Sequence, residues 1–200
     1  MKIGVLLFCP VLIAGCLHWN RDIEVHGVTF EKARVDKNGF VIGRVAQDTV
    51  VAGRPCRKGW LHLHPNGVPA GFAAATDIRL PRLTIPAGTW VFQDPDGIVT
   101  VCAFPGDTEV QGHVCRGGAG GAEGIQTAFY PDGALKQFFA PADLRIDGIP
   151  CAAGLFGPGI ELYASGRLRS ATLAADCELN GRAYRKGERI HLTPAGQLTM

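Results

Sequence analysis

The chain has little charge and almost none in excess. Of its 200 residues 19% are Asp, Glu, Lys or Arg, and 20 cationic against 18 acidic side chains leave a formal net charge of +2. Lys and Arg are scattered rather than clustered, so the footprint of a nucleic-acid binder is missing and no such partner is expected. Helical periodicity is also missing, since no segment repeats its apolar residues every 3.6 positions. Gly-x-Ser-x-Gly, His-Glu-x-x-His, Walker and Cys-His signatures do not occur. Cys-x-x-Cys, the usual mark of a zinc site, is absent too. No cofactor and no metal are therefore expected. What the chain has instead is 46% hydrophobic residues with 27 Gly and 13 Pro. That composition describes one globular domain with many tight turns, and it favours β over α.

The N-terminus reads MKIGVLLFCPVLIAGC: one Lys, then an apolar run of twelve residues from Ile3 to Ala14. A bilayer core needs about 20 residues, so the run is too short to span and fits the hydrophobic region of a secretory signal. Ile13-Ala14-Gly15-Cys16 resembles the bacterial lipobox, in which small residues precede a Cys that becomes the acylated N-terminus. The resemblance covers the first sixteen residues and implies a signal peptide over 1–15, lipidation at Cys16 and a short linker over 16–21. It also implies a membrane partner through the lipid. Leu17, where inner-membrane lipoproteins carry Asp, implies transfer to the outer membrane on its periplasmic or surface side. Loss of Lys2 with the signal leaves 19 cationic against 18 acidic side chains, a nearly neutral chain.

From residue 22 to 200 a motif recurs, Asp-x-x-apolar-x-Gly, beginning at Asp22, Asp48, Asp107, Asp143 and Asp176, with a sixth copy at Asp77 that keeps Leu80 but has lost the Gly. Each unit holds a second glycine at a tight turn, namely Gly39, Gly67, Gly97, Gly133, Gly166 and Gly196. From that glycine to the next Asp the spacing is 9, 10, 10, 10 and 10 residues. Length variation falls elsewhere, in Gly117 to Gly124 and in Gly154 to Gly159. The first of these is read as a loop, because neither the context nor the Lys-Ser/Thr of a phosphate-binding glycine loop surrounds it. Apolar residues alternate on both sides of the turn glycines, as at Leu61 and Leu63 or Ile160 and Leu162 before them and Val41 and Leu135 after. Alternation around Asn-Gly or Asp-Gly is the signature of a β-hairpin. The expected fold is all-β, six stacked hairpin repeats forming an elongated sheet or β-solenoid, with a closed sandwich or barrel as the alternative. These units loosely resemble the MORN-like hairpin repeats of bacteria, and more closely the D-x-x-I-x-G-x-x-C units of secreted or lipid-anchored proteins. They lack the Tyr-x-Gly of a MORN repeat, and the resemblance implies no activity.

Three residues after the repeat glycine stand Phe30, Cys56, Ile85, Cys115, Cys151 and Tyr184, so cysteine shares a core position with large apolar side chains. Such cysteines are buried thiols or, after export, disulfides, and Cys115 with Cys151 is the preferred pair. With Cys9 in the signal and Cys16 lipidated, five cysteines remain, so one at least is unpaired. The repeated Asp residues are expected to bond backbone N–H groups two residues on and so to shape the turn into each unit. Bridging of the stacked carboxylates by calcium is the alternative. His62 and His64 share one strand face, and no third ligand joins them. Tyr130, Glu161, Tyr163 and His191 lie on the same kind of face, polar and aromatic together.

The function these features suggest is a membrane-anchored, non-catalytic lipoprotein that presents a β surface to a protein or glycan of the envelope. An envelope carbohydrate-active enzyme using Glu161, and a structural spacer or immunity-type partner of a toxin, are the alternatives. Cys16→Ser decides the anchor: fractionation should find the variant released from the membrane or left unprocessed. Unchanged, detergent-dependent partitioning would contradict lipidation.

Overall fold

The computed structural model describes residues 19–118, 124–154 and 157–198, and within them every regular element is a strand or a turn. A pleated backbone sends successive side chains to opposite faces, so the alternating segments become half-buried strands. In chain order these are β1 (Asn20–Val25), β2 (Val28–Val35), β3 (Val41–Val45), β4 (Thr49–Val51), β5 (Arg54–Leu63), β6 (Pro69–Ala74) and β7 (Ile78–Leu80). They continue with β8 (Leu83–Ile85), β9 (Trp90–Gln93), β10 (Val99–Ala103), β11 (Thr108–Val110), β12 (His113–Cys115), β13 (Gln126–Phe129) and β14 (Leu135–Phe138). The last are β15 (Leu144–Ile146), β16 (Ile149–Cys151), β17 (Ile160–Leu162), β18 (Leu168–Thr172), β19 (Cys177–Leu179), β20 (Arg182–Tyr184) and β21 (Arg189–His191).

One antiparallel sheet of 13 strands carries the fold, in the order β1-β2-β3-β5-β6-β9-β10-β13-β14-β17-β18-β21, with β4 paired to β5 off this path. Its edges β1 and β21 do not meet, so the elongated sheet forms and the closed barrel or sandwich does not. Each unit contributes two hairpins rather than the one expected. Long hairpins such as β5–β6 and β9–β10 build the sheet. Between them the chain steps off the sheet, makes a short hairpin and returns; the short ones are β4 with the start of β5, β7–β8, β11–β12, β15–β16 and β19–β20. The first unit is atypical, because β1 pairs with β2 from Val25↔Val28 through to Asn20↔Ala33, so that its short hairpin runs straight into the sheet edge. Terminal repeats commonly depart from the consensus in this way.

The short hairpins cover one face of the sheet. Directly opposed residues of antiparallel strands point the same way, and the row Ala33, Gly43, Leu61, Phe72, Val91, Cys102, Thr127 crosses seven strands on the covered side. All seven are buried. Val51, Cys56, Ile85, Val110, Cys115, Ile146 and Cys151 descend onto them from the short hairpins and complete one continuous core. Phe30, Cys56, Ile85, Cys115 and Cys151 are all 0% exposed, whereas Tyr184, at the same position of the unit beginning at Asp176, is half-buried. Each fully buried Leu, Ile or Phe contributes about 1.5–3 kcal/mol, so this layer is where the stability lies.

Two turn geometries alternate along the chain. In all six long-hairpin turns the glycine N–H donates to the carbonyl three residues back, as from Gly133 to Tyr130, and the first residue's N–H donates to the carbonyl four residues on, as from Tyr130 to Ala134. This is a three-residue loop with the glycine in the left-handed region, at φ +79° for Gly133. Five short hairpins instead place positive φ on both central residues: His26-Gly27, Ala52-Gly53, Gln111-Gly112, Asp147-Gly148 and Asn180-Gly181. That is the requirement of a type I′ turn, and it is why the repeat carries its glycine there. The sixth has Pro81-Arg82, and proline cannot reach positive φ.

Gly43 is needed for a different reason. A Cβ there would stand 2.8 Å from the Ala33 Cβ and closer still to the Phe30 ring, which folds over it from the first short hairpin. At Gly133 a Cβ would meet nothing nearer than 3.7 Å, so only the backbone objects. Gly133→Val should therefore cost about 1–3 kcal/mol through positive φ. Gly43→Val should cost more, because overpacking by itself costs about 1–3 kcal/mol and here the nearest atoms are core. Urea denaturation orders the two, and equal midpoints would contradict the covered-face packing.

Candidate functional site

The repeated Asp residues act across a longer span than two residues. The Oδ1 of Asp48 accepts the N–H of Lys58 at 2.8 Å, and Asp77 accepts Ala87 at 2.9 Å. Asp107 accepts Gly117 at 3.0 Å, Asp143 accepts Ala153 at 2.7 Å and Asp176 accepts Lys186 at 2.7 Å. In every case the partner is ten residues on, at the corner where the short hairpin rejoins the sheet. The residue after it is glycine in all five, at Gly59, Gly88, Gly118, Gly154 and Gly187. Each carboxylate thus closes the base of its own short hairpin. Asp22 makes no such bond and sits at φ +49°. Bonds to the amide two residues on do exist, but at the long turns, where Asp36, Asn66, Asp94 and Asp132 accept from Asn38, Val68, Asp96 and Ala134. The carboxylates of the repeat are dispersed over separate corners, and among the described residues no three His, Cys, Asp or Glu gather as metal ligands would. Gly117 and Gly118 belong to such a corner and not to a loop, while 119–123 lie outside the described residues.

At the other end of the hairpins the first residue of each long turn has one of two tasks. Asp36, Asp94 and Thr193 cap their own turn, accepting from Phe40, Ile98 and Gln197. His64, Tyr130 and Tyr163 reach to the next hairpin instead: His64 Nε2 meets the Gln93 carbonyl at 2.9 Å, and the tyrosine hydroxyls donate to Leu162 and Leu192 at 2.9 and 2.6 Å. Both tyrosines and His64 are therefore staples between units. Glu161 is held by Arg189 at 3.2 Å and Arg169 at 3.9 Å. His191 shares the cross-strand row of Glu161 through Ser170.

The uncovered face is composed differently. Its central row runs Arg34, Ile42, His62, Gly71, Phe92, Val101, Ala128, Gln137, Glu161, Ser170, His191, one residue from each of eleven strands, and it changes character from unit to unit. On the first half of it the aromatics collect. Phe40 meets His62 and His64 edge-on at 6.3 and 5.9 Å, His62 meets Trp90 at 5.9 Å, and Trp90 meets Phe92 at 6.2 Å. Gly71, between His62 and Phe92, leaves room for them: a Cβ there would stand 3.2 Å from His62 Nδ1. Trp19 and Trp60 touch at 5.6 Å nearby, so all three tryptophans of the chain are on this face. Trp90 is 7% exposed, yet its indole N–H has no hydrogen-bond partner among the described residues. A buried donor left without an acceptor costs about 1–3 kcal/mol, which sets it apart from ordinary core tryptophan. Sequence reasoning singled out His62 and His64 but not the aromatics around them, whose neighbours come from other strands.

The five described cysteines are free thiols, Cys115 and Cys151 included, so the preferred pair is not formed. Cys56, Cys115 and Cys151 belong to short hairpins and are packed into the core there, Cys102 is buried on β10 of the sheet, and Cys177 at the start of β19 is half-buried. Burial pushes the Cys56 and Cys115 thiols up to about 12 and Cys151 to about 11. Burial also raises Cys102, with the neighbouring Cys115 adding to it. No family model, no curated protein and no solved structure matches the chain.

His62 and His113 are both held below their ordinary range by burial, His62 further by the Arg34 guanidinium, while Asp147 partly offsets the effect at His113. A depressed histidine resists the proton that the unfolded chain accepts at about 6.5, so their contribution is present above that pH and is lost as pH falls below it. Denaturation midpoints should decline from pH 7 to pH 5, and His62→Gln should flatten the decline. An unaltered slope in that variant would contradict burial of the ring.

Proposed function

We propose that the protein is a lipid-anchored, non-catalytic component of the bacterial envelope that holds a protein or glycan partner on the uncovered face of its sheet. The anchor is Cys16, behind a cleaved signal over 1–15, and the destination is the outer membrane. The observation that carries the reading is the aromatic band from Phe40 through His62 and Trp90 to Phe92, on the face opposite the short hairpins. Sheet faces that need only stability are covered or made polar, whereas aromatic side chains carry much of the energy at recognition surfaces. Glu161, the carboxylate of the enzymatic alternative, is engaged by two arginines.

Phe92 is half-buried on the open face and Glu109 is exposed on a short hairpin, so the two substitutions Phe92→Glu and Glu109→Lys separate the faces. Capture from solubilised envelope, together with a glycan array, should lose its partner with Phe92→Glu and keep it with Glu109→Lys, at unchanged circular dichroism. Retention by Phe92→Glu of everything the natural chain captures would contradict the assignment.

A further inference from the structure

The end of the uncovered face nearest the N-terminus differs from the rest in charge. In one cross-strand row Arg21 opposes Lys32, Lys32 opposes Arg44, and Arg44 opposes Trp60. Like charges placed opposite each other destabilise a sheet. Glu31, 3.3 Å from Arg44, is the one carboxylate that answers them among the described residues. Lys32 and Arg34 have rings for partners: the Lys32 ammonium lies 5.3 Å from Trp19 and 5.2 Å from Trp60, and the Arg34 guanidinium 5.4 Å from Trp19. Both indoles remain in part open to solvent, 37% at Trp19 and 38% at Trp60. In a chain that is nearly neutral overall, this is a local excess of positive charge set around a pair of tryptophans.

Chain length says what lies opposite. Trp19 is three residues from Cys16, and three residues span at most about 11 Å. If Cys16 carries the lipid, the reading on which this inference rests, Trp19 cannot leave the neighbourhood of the headgroup zone, which is roughly 5–7 Å deep on each side of the hydrocarbon. Tryptophan is enriched at that depth and cationic side chains meet lipid phosphates there.

We propose that Trp19, Trp60, Lys32, Arg34 and Arg44 form a seat on anionic phospholipid headgroups, which fixes how the sheet stands on its membrane. The indoles enter the interface, and the cations, crowded against one another in the free protein, are relieved by phosphate. The far end of the same face, at Arg169 on β18, is eight strand spacings from β3, about 38 Å away. It is thereby carried clear of the bilayer. The aromatic band at His62 and Phe92 lies between the two ends, near the membrane.

The test uses the chain from residue 17 onward, without lipid, which keeps every described strand and every described core residue. Vesicles of phosphatidylcholine are compared with vesicles that also hold phosphatidylglycerol. Sedimentation should show binding to the anionic vesicles, weakened by salt. Because all three tryptophans are on this face, the emission should shift to the blue on binding and be quenched by lipids brominated near the headgroup. The double variant Lys32→Glu, Arg34→Glu should bind at least about 20-fold more weakly, at roughly fivefold for each basic residue lost. Arg169→Glu should bind as the natural chain does. Binding to neutral vesicles alone, sedimentation without a tryptophan response, or capture of a soluble anionic polysaccharide in place of vesicles would overturn the seat. Lipidation at Cys16 is read separately by fractionation, so either reading can fail without the other.

Discussion

Five aspartates determine the architecture, each holding the amide ten residues ahead of it. A short hairpin is marginal by itself, and one that leaves a sheet needs a reason to fold back over it. The carboxylate supplies that reason by closing the two ends of the excursion on each other, next to a glycine that lets the chain turn back into the sheet. Once the base is closed, the residue three after the type I′ glycine points into the core and covers the strands below. The covered face, the buried thiols and the exposure of the opposite face all follow from that geometry. One oxygen of each carboxylate is taken up by this task, at corners separate from one another.

Closing one face leaves the other free to vary. Covered positions are filled by small or apolar residues because each unit must bury the same surface, while the open row passes from Arg34 through His62 and Phe92 to Glu161 and His191. Residues under no common packing demand are where binding specificity resides in a repeat protein. Charge is graded along the same direction, with cations set over the Trp19 and Trp60 rings at one end and cations paired with Glu161 at the other. A single sheet thus has two ends of different chemistry, one beside the N-terminal strand and one remote from it.

Much of this was legible in the residues. The turn glycines and the alternation about them led to hairpins and to an extended all-β sheet, because Gly in a tight turn and a two-residue period are local properties. The shared position of Phe30, Cys56 and Ile85 likewise pointed to the core. Less legible was the division of each unit into two hairpins, although the type I′ glycine at positions such as Gly112 and Gly148 was in view beside the Asp. The spacing of Asp to a glycine eleven residues later, constant in five units, would have disclosed the corner clamp; the habit of reading Asp as a partner of the amide two residues on concealed it. The aromatic band was out of reach, since Phe40, His62 and Trp90 meet only once β3, β5, β6 and β9 are in register. The same holds for the cationic row, whose members oppose one another only once β1, β2, β3 and β5 are paired.

Native-state hydrogen exchange at the corner amides tests the clamp most directly. Lys58, Ala87, Gly117, Ala153 and Lys186 occupy exposed corners, where an amide without a partner exchanges freely. These five N–H groups should be protected in the natural chain. In Asp143→Ala the Ala153 amide should exchange like an open loop, and protection across β15–β16 should drop with it while β5–β6 is unaffected. Rapid exchange at all five in the natural chain, or undiminished protection of Ala153 in the variant, would contradict the claim that aspartate holds the covering layer in place.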